Sequence, residues 1–124
     1  MSDRGGRVLI VEDEFLIADT LADMVAALRL EVCATADNAS RAIALAKFHR
    51  PELVLMDVRL KGEADGVDAA QAIHDVLGCP VIFITGSQEP ATVARINSGH
   101  PAAILFKPIT FEQLRRAVVA ATGG

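Results

Sequence analysis

Apolar residues in this chain fall into two patterns: short unbroken runs, and longer stretches in which they recur every three or four positions. The runs lie at 7–11, 31–35, 52–56, 80–84 and 102–106 and predict strands. Val8-Leu9-Ile10-Val11, Leu53-Val54-Leu55-Met56 and Val81-Ile82-Phe83-Ile84 show no polar alternation, which marks strands covered on both faces of a parallel sheet. The second and fifth runs are more mixed and belong nearer the sheet edges. Helical spacing predicts helices over 14–28, 39–49, 66–77, 90–98 and 111–122. Ile17, Leu21, Met24, Val25 and Leu28 make the first apolar stripe, and Ala42, Leu45, Ala46 and His49 the second. Val67, Ala70, Ile73 and Leu77 make the third, and Leu114, Ala117, Val118 and Ala121 the last. The helix over 90–98 is only weakly amphipathic.

Punctuation agrees with these bounds. Asp37 or Asn38 suits the cap of the second helix, and Pro51 prevents its continuation. Gly78 suits the end of the third helix, Pro90 the first turn of the fourth, and Thr110 with Gln113 a reciprocal cap on the fifth. Strict strand–helix alternation without an internal repeat predicts a doubly wound α/β domain with right-handed crossovers. That domain is expected over 7–122, with 1–6 and 123–124 as flexible ends.

Composition narrows the picture. Hydrophobic residues are 52% and charged residues 23% of the chain, enough apolar material for a packed core. The net charge of −4 argues against nucleic acid as a direct partner. Cys33 and Cys79 sit in or beside apolar runs, as buried free thiols of a reducing compartment do. No apolar stretch is long enough to span a bilayer, and the N-terminus lacks the apolar core of a secretion signal. A cytoplasmic protein without membrane contact is expected.

Chemistry gathers where the runs end. Glu12 and Asp13 follow the first run, Asp57 the third, Thr85 the fourth and Lys107 the fifth. In an open parallel sheet the carboxyl ends of the strands form the ligand-binding edge. Three carboxylates there repel one another unless a proton or a cation intervenes. An all-oxygen set favours Mg²⁺, or Mn²⁺, over zinc. A divalent cation, a lysine and a hydroxyl around one carboxylate suit phosphoryl transfer, with Asp57 as the nucleophile that becomes an acyl phosphate. Taken singly, each residue has a structural use: Glu12 and Asp13 as helix caps, Asp57 and Thr85-Gly86 as turns, Lys107 as a solvated loop charge. Their shared position behind four separate strands favours the chemical reading.

Glu12-Asp13, Asp57, Thr85 and Lys107-Pro108 together resemble the signature of the response-regulator receiver domain, the CheY-like family, over residues from about 7 to 122. The resemblance implies a stand-alone receiver with a flavodoxin-like sheet of order 2-1-3-4-5 flanked by five helices. It implies phosphorylation of Asp57 by a sensor histidine kinase or histidine phosphotransfer protein, with Mg²⁺ held by Glu12, Asp13, Asp57 and the backbone carbonyl of Arg59. The amide of Gly86 would meet a phosphoryl oxygen. Many receivers carry an aromatic switch residue three positions before the lysine, where this chain has Ile104. Phe106 shares a face with Ile104 by strand alternation and is a candidate substitute. Arg59 and Ser87 flank the phosphoryl position, and Arg59 is expected to affect the lifetime of the acyl phosphate. Phe83-Ile84-Thr85-Gly86 and Phe106-Lys107-Pro108 are similar to a subclass of alphaproteobacterial receivers that work with HWE-type or related kinases.

The expected role is two-component, phosphorelay signalling through a downstream protein partner. The face built from 90–122 would be read by that partner or by a second copy in a weak dimer; otherwise the chain is a monomer. Glu14, Phe15 and Leu16 are expected on the kinase side. The alternative is an enzyme, a small-molecule phosphatase or phosphotransferase that forms an aspartyl phosphate. Enzymes resembling haloacid dehalogenases place a second acid two residues past the nucleophile, where this chain has Arg59. A flavin-binding flavodoxin is disfavoured because Glu12-Asp13-Glu14 would repel a phosphate.

Overall fold

The structure is a computed structural model, and it describes residues 6–123. Its strands are β1 (Arg7–Val11), β2 (Glu31–Ala36), β3 (Leu53–Met56), β4 (Val81–Thr85) and β5 (Ala103–Phe106). Its helices are α1 (Phe15–Ala27), α2 (Ala39–His49), α3 (Gly66–Leu77), α4 (Pro90–Ser98) and α5 (Phe111–Thr122). All strand pairs are parallel, and the order is β2-β1-β3-β4-β5. The three unbroken apolar runs thus fill the centre, and the mixed runs lie at the edges, as their patterns require. Residues 1–5 and 124, part of the expected flexible ends, lie outside the described residues. Gly6 accepts from the Glu31 amide at 3.0 Å, and Gly123 caps α5 by donating to Val119 at 2.9 Å.

Alternation along each strand splits the core into two layers. Leu9, Val11, Val54, Met56 and Phe83 face α2, α3 and α4, meeting Ala42, Ala46, Ala69, Ile73 and Ile96. Val8, Ile10, Leu53, Leu55, Ile82 and Ile84 face α1 and α5, meeting Leu21, Val25, Leu114 and Val118. The alanines of α2 and α3 let those helices lie close to the sheet. Leu114 is fully buried, so truncation to alanine at this point of α5 costs roughly 2–5 kcal/mol.

Caps follow the sequence closely. Asn38, rather than Asp37, caps α2 by accepting from the Arg41 amide, and Arg50 ends that helix in a left-handed conformation. Thr110 and Gln113 close a reciprocal box on α5. A second box, Asp65 with Asp68, opens α3. β4 begins at Val81 because Pro80 has no N–H to give the ladder. Cys33 and Cys79 are free and half-buried rather than enclosed, since both lie toward the periphery of their layer. Burial still pushes both thiols up, which keeps them protonated and inert.

Candidate functional site

The topology reverses direction at β1: the chain leaves it toward β2 and returns on its other side as β3. A crevice opens at that switch, beyond the carboxyl ends of both strands. The ladders run one residue past the strands and fix what enters it. The Asp57 amide donates to Val11 at 2.9 Å, the Glu12 amide to Ala36 at 2.9 Å, and the Lys107 amide to Thr85 at 2.8 Å. Val11 is the register partner of Met56, and Thr85 that of Phe106. Glu12 and Asp57 therefore emerge side by side, with Lys107 reaching in from the far strand.

Glu12, Asp13 and Asp57 each offer a carboxylate oxygen, all within 4.8 Å of one another. Glu12 and Asp57 are buried; Asp13 is half-buried. The Lys107 ammonium sits 3.0 Å from Glu12 Oε1 and 3.2 Å from Asp57 Oδ2. Glu12 Oε2 accepts from the Glu14 amide at 3.2 Å. Glu12 Oε1 is fully enclosed, and the Lys107 ammonium is its one partner among the described residues. Three clustered carboxylates share one ammonium, and a further cation relieves the remaining repulsion. The donors are all carboxylate oxygens, a chemistry that fits a hard divalent cation.

The electrostatics are those of an over-acidic hollow. Burial pushes the Glu12 carboxyl up to about 7; the lysine opposes this and the Asp57 charge adds to it. Burial works against the Lys107 charge, but Glu12 and Asp57 outweigh it and hold the ammonium above its ordinary value. The hollow has a volume of about 580 Å³. Thr85, Gly86, Arg59 and Ser87 line it together with Asp13, Asp57 and Lys107. Thr85 is buried, and its Oγ1 accepts from the Ser87 amide at 3.1 Å. Gly86 and Arg59 are exposed on the rim.

Glu12, Asp13, Asp57, Arg59, Thr85, Gly86, Ser87 and Lys107 therefore border one site. Ile104 is half-buried in the layer facing α2, α3 and α4, with Phe83 as its register partner, while Phe106 pairs in register with Thr85. Sequence reasoning missed Gly66. A Cβ there would stand 1.8 Å from the Asp57 carbonyl oxygen, so the first turn of α3 rests on the peptide of the central acid. The acid–glycine pair Asp65-Gly66 before a helical stripe was the signal available. Thr92, which also lines the hollow, carried no such signal.

The chain is a doubly wound parallel α/β domain with an acidic hollow at its switch point. Residues 8–119 match the response regulator receiver domain family, and the chain belongs to that family. It is 36% identical over 112 residues to the transcriptional regulatory protein PdtaR of Mycobacterium tuberculosis, covering 90% of this chain and 54% of that protein. It is 34% identical over 106 residues to the polar-differentiation response regulator DivK of Brucella anthropi, covering 83% of this chain and 85% of that one. The signal receiver domain of a modulated diguanylate cyclase from Desulfovibrio desulfuricans G20 has the same fold, with a TM-score of 0.91 and 35% identity over 96% of this chain and 94% of that one. The chain thus spans about half the length of PdtaR and most of DivK. By family and fold it is a receiver domain of two-component response regulators. No helix among the described residues is long and apolar enough to cross a membrane.

Proposed function

We propose that Asp57 is the phosphoacceptor of this receiver and that residues 7–122 form its working unit. A carboxylate oxygen of Asp57 attacks the phosphorus of a phosphohistidine on a sensor kinase or phosphotransfer protein. The P–N bond breaks, its electron pair returns to the imidazole, and an acyl phosphate forms on Asp57. Lys107 offsets charge on one phosphoryl oxygen, and Thr85 and the Gly86 amide donate to others. Glu12, Asp13, Asp57 and the Arg59 carbonyl would hold Mg²⁺, which supplies charge neutralisation to the transferring phosphoryl group. Arg59, on the rim, restricts the approach of water to the acyl phosphate.

The observation that carries this reading is the packing of three carboxylates within 4.8 Å around a lysine that touches two of them. A phosphoryl group brings up to two further charges and three acceptor oxygens to that point. Thr85 then exchanges its bond with Ser87 for one to the phosphoryl group, and the loop to α4 follows as a population shift. A partner protein, or a second copy of the chain, reads the 90–122 face. The test is phosphotransfer from purified histidine kinases, with and without chelator, on the wild type and on Asp57→Asn. Label that depends on Mg²⁺ and vanishes in Asp57→Asn is expected; label surviving the substitution sinks the assignment.

A further inference from the structure

We infer that Arg95 on α4 and Asp65 at the head of α3 form a clasp that ties α4 to the backbone of Asp57, a coupling route separate from Thr85. The inference rests on the phosphoacceptor reading only for what the site binds.

The clasp is forked. Arg95 Nη1 lies 2.7 Å from Asp65 Oδ2, and Nη2 lies 3.3 Å from Asp65 Oδ1. Nη2 is also 3.6 Å from Asp68 Oδ1. A planar guanidinium meeting a carboxylate with two bonds fixes orientation as well as distance. Asp65 is not a loose surface acid. Its Oδ1 caps α3 by accepting from the Val67 and Asp68 amides at 3.0 and 3.1 Å, and its own amide donates to Asp68 at 3.2 Å. A pull on its carboxylate therefore moves the whole first turn of the helix.

That turn is seated on the site. The Gly66 amide donates to the Val58 carbonyl at 2.7 Å, and the Cα of Gly66 leaves no room for a Cβ above the Asp57 carbonyl. Arg95, Asp65, Gly66 and the Asp57 peptide thus form one continuous mechanical chain. At its other end α4 is lightly held: it buries Ile96 alone, and no side chain caps its N-terminus. The clasp, at the residue next to Ile96, fixes that single anchor in rotation. Ile104 stands where many receivers place an aromatic ring, and Phe106 is the register partner of Thr85, so the clasp is a second link to α4 beside the loop that follows Thr85.

Coupling of this kind is reciprocal: whatever biases α4 biases ligand binding at Asp57 by the same factor. The clasp is present together with the bond in which Thr85 Oγ1 accepts from the Ser87 amide, and the inference is that it holds this arrangement. Breaking it shifts weight toward the arrangement in which Thr85 is released.

The test compares Arg95→Ala, Asp65→Asn and the double variant; asparagine keeps the cap and removes the charge. Two readouts are taken: hydrogen exchange at the Gly66 amide, and affinity for beryllofluoride with Mg²⁺ as a phosphoryl stand-in. For a half-exposed pair each single variant is expected to speed Gly66 exchange and tighten beryllofluoride binding about threefold, with no further gain in the double. Faster exchange in α4 with Gly66 unchanged would reduce the pair to a surface contact and overturn the inference. So would unchanged or weaker beryllofluoride binding. A wild type that binds no beryllofluoride, but whose Gly66 exchange responds to Arg95→Ala, would overturn the phosphoacceptor reading and leave the clasp standing.

Discussion

Lys107 and Asp57, fifty positions apart in sequence, meet at 3.2 Å between Nζ and Oδ2. The same ammonium holds Glu12, so one cation serves two buried acids. Removing it in Lys107→Ala leaves those acids to face each other across the hollow. Breaking a buried pair costs 3–5 kcal/mol, and the residual exposure of this lysine reduces that to about 2–3 kcal/mol. Urea unfolding is expected to show that loss without divalent cation and to show most of it recovered when Mg²⁺ is added. A variant as stable as the wild type in both conditions would mean that the lysine is not the compensating charge.

Glu12 sets the pH response of the hollow. Its carboxyl is pushed up to about 7, well above its ordinary value of 4.5. The folded state therefore binds a proton more tightly than the unfolded chain does. This contribution to stability is fully present below about 4.5 and is lost as pH rises through about 7. Cation binding has the opposite slope, because the bound form needs the ionised carboxylate. Between pH 8 and pH 6 the Mg²⁺ affinity is expected to fall roughly tenfold as Glu12 takes its proton. Titration by calorimetry checks this, and Glu12→Gln is expected to flatten the dependence.

Two glycines at the site make a paired test. At Gly66 a Cβ would meet the Asp57 carbonyl oxygen at 1.8 Å and the Val58 Cα at 2.9 Å. Both neighbours are backbone in the central layer and cannot step aside. At Gly86 a Cβ meets nothing within 4 Å, and φ there is not in the left-handed region. Gly66→Ala is expected to cost 3 kcal/mol or more, on the order of severe overpacking, and to displace Asp57 enough to abolish its phosphorylation. Gly86→Ala is expected to fold as well as the wild type, because its amide stays in place. Thermal denaturation and labelling from a small phosphodonor separate the two.

These contrasts mark how far the sequence could be read. Val54 and Ile82 announce central strands because a run without polar alternation can only be covered on both faces. Asp57 and Lys107 announce the site because a polar residue directly after such a run must emerge at the sheet edge. The helix bounds followed from Thr110 with Gln113, from Pro90 and from Gly78, each a local backbone requirement. What stayed hidden depends on distance in three dimensions. Glu12 and Asp13 are adjacent acids, and only the register of β1 against β3 decides that Glu12 turns inward and reaches Lys107. Gly66 looks like any glycine before a helix until the Asp57 carbonyl is found beneath it. Arg95 and Asp65 are thirty residues apart, with no periodicity to connect them.

The last prediction concerns the approach of the phosphodonor. Phe15 and Leu16 open α1 with 75% and 77% of their surfaces exposed, directly after the acids of the site. The sequence places both on the kinase side, and the apolar stripe of α1 starts only at Ile17. Two adjacent large apolar side chains at the rim cost solubility and contribute nothing to the core, which favours a role in contact with another protein. Beside them, between α1 and the segment after β5, runs a mainly apolar groove of about 410 Å³ lined by Ile17, Met24, Pro108 and Ile109. A helix of a donor protein laid in that groove would bring its histidine over the hollow while Phe15 and Leu16 grip its side. The double substitution Phe15→Asp, Leu16→Asp leaves the core untouched, so folding and labelling from a small phosphodonor are expected to persist. Transfer from the cognate kinase is expected to fall at least tenfold, in line with the loss of a central apolar anchor. Equal loss with both donors would place the defect in the hollow, and no loss with either would move the docking surface elsewhere.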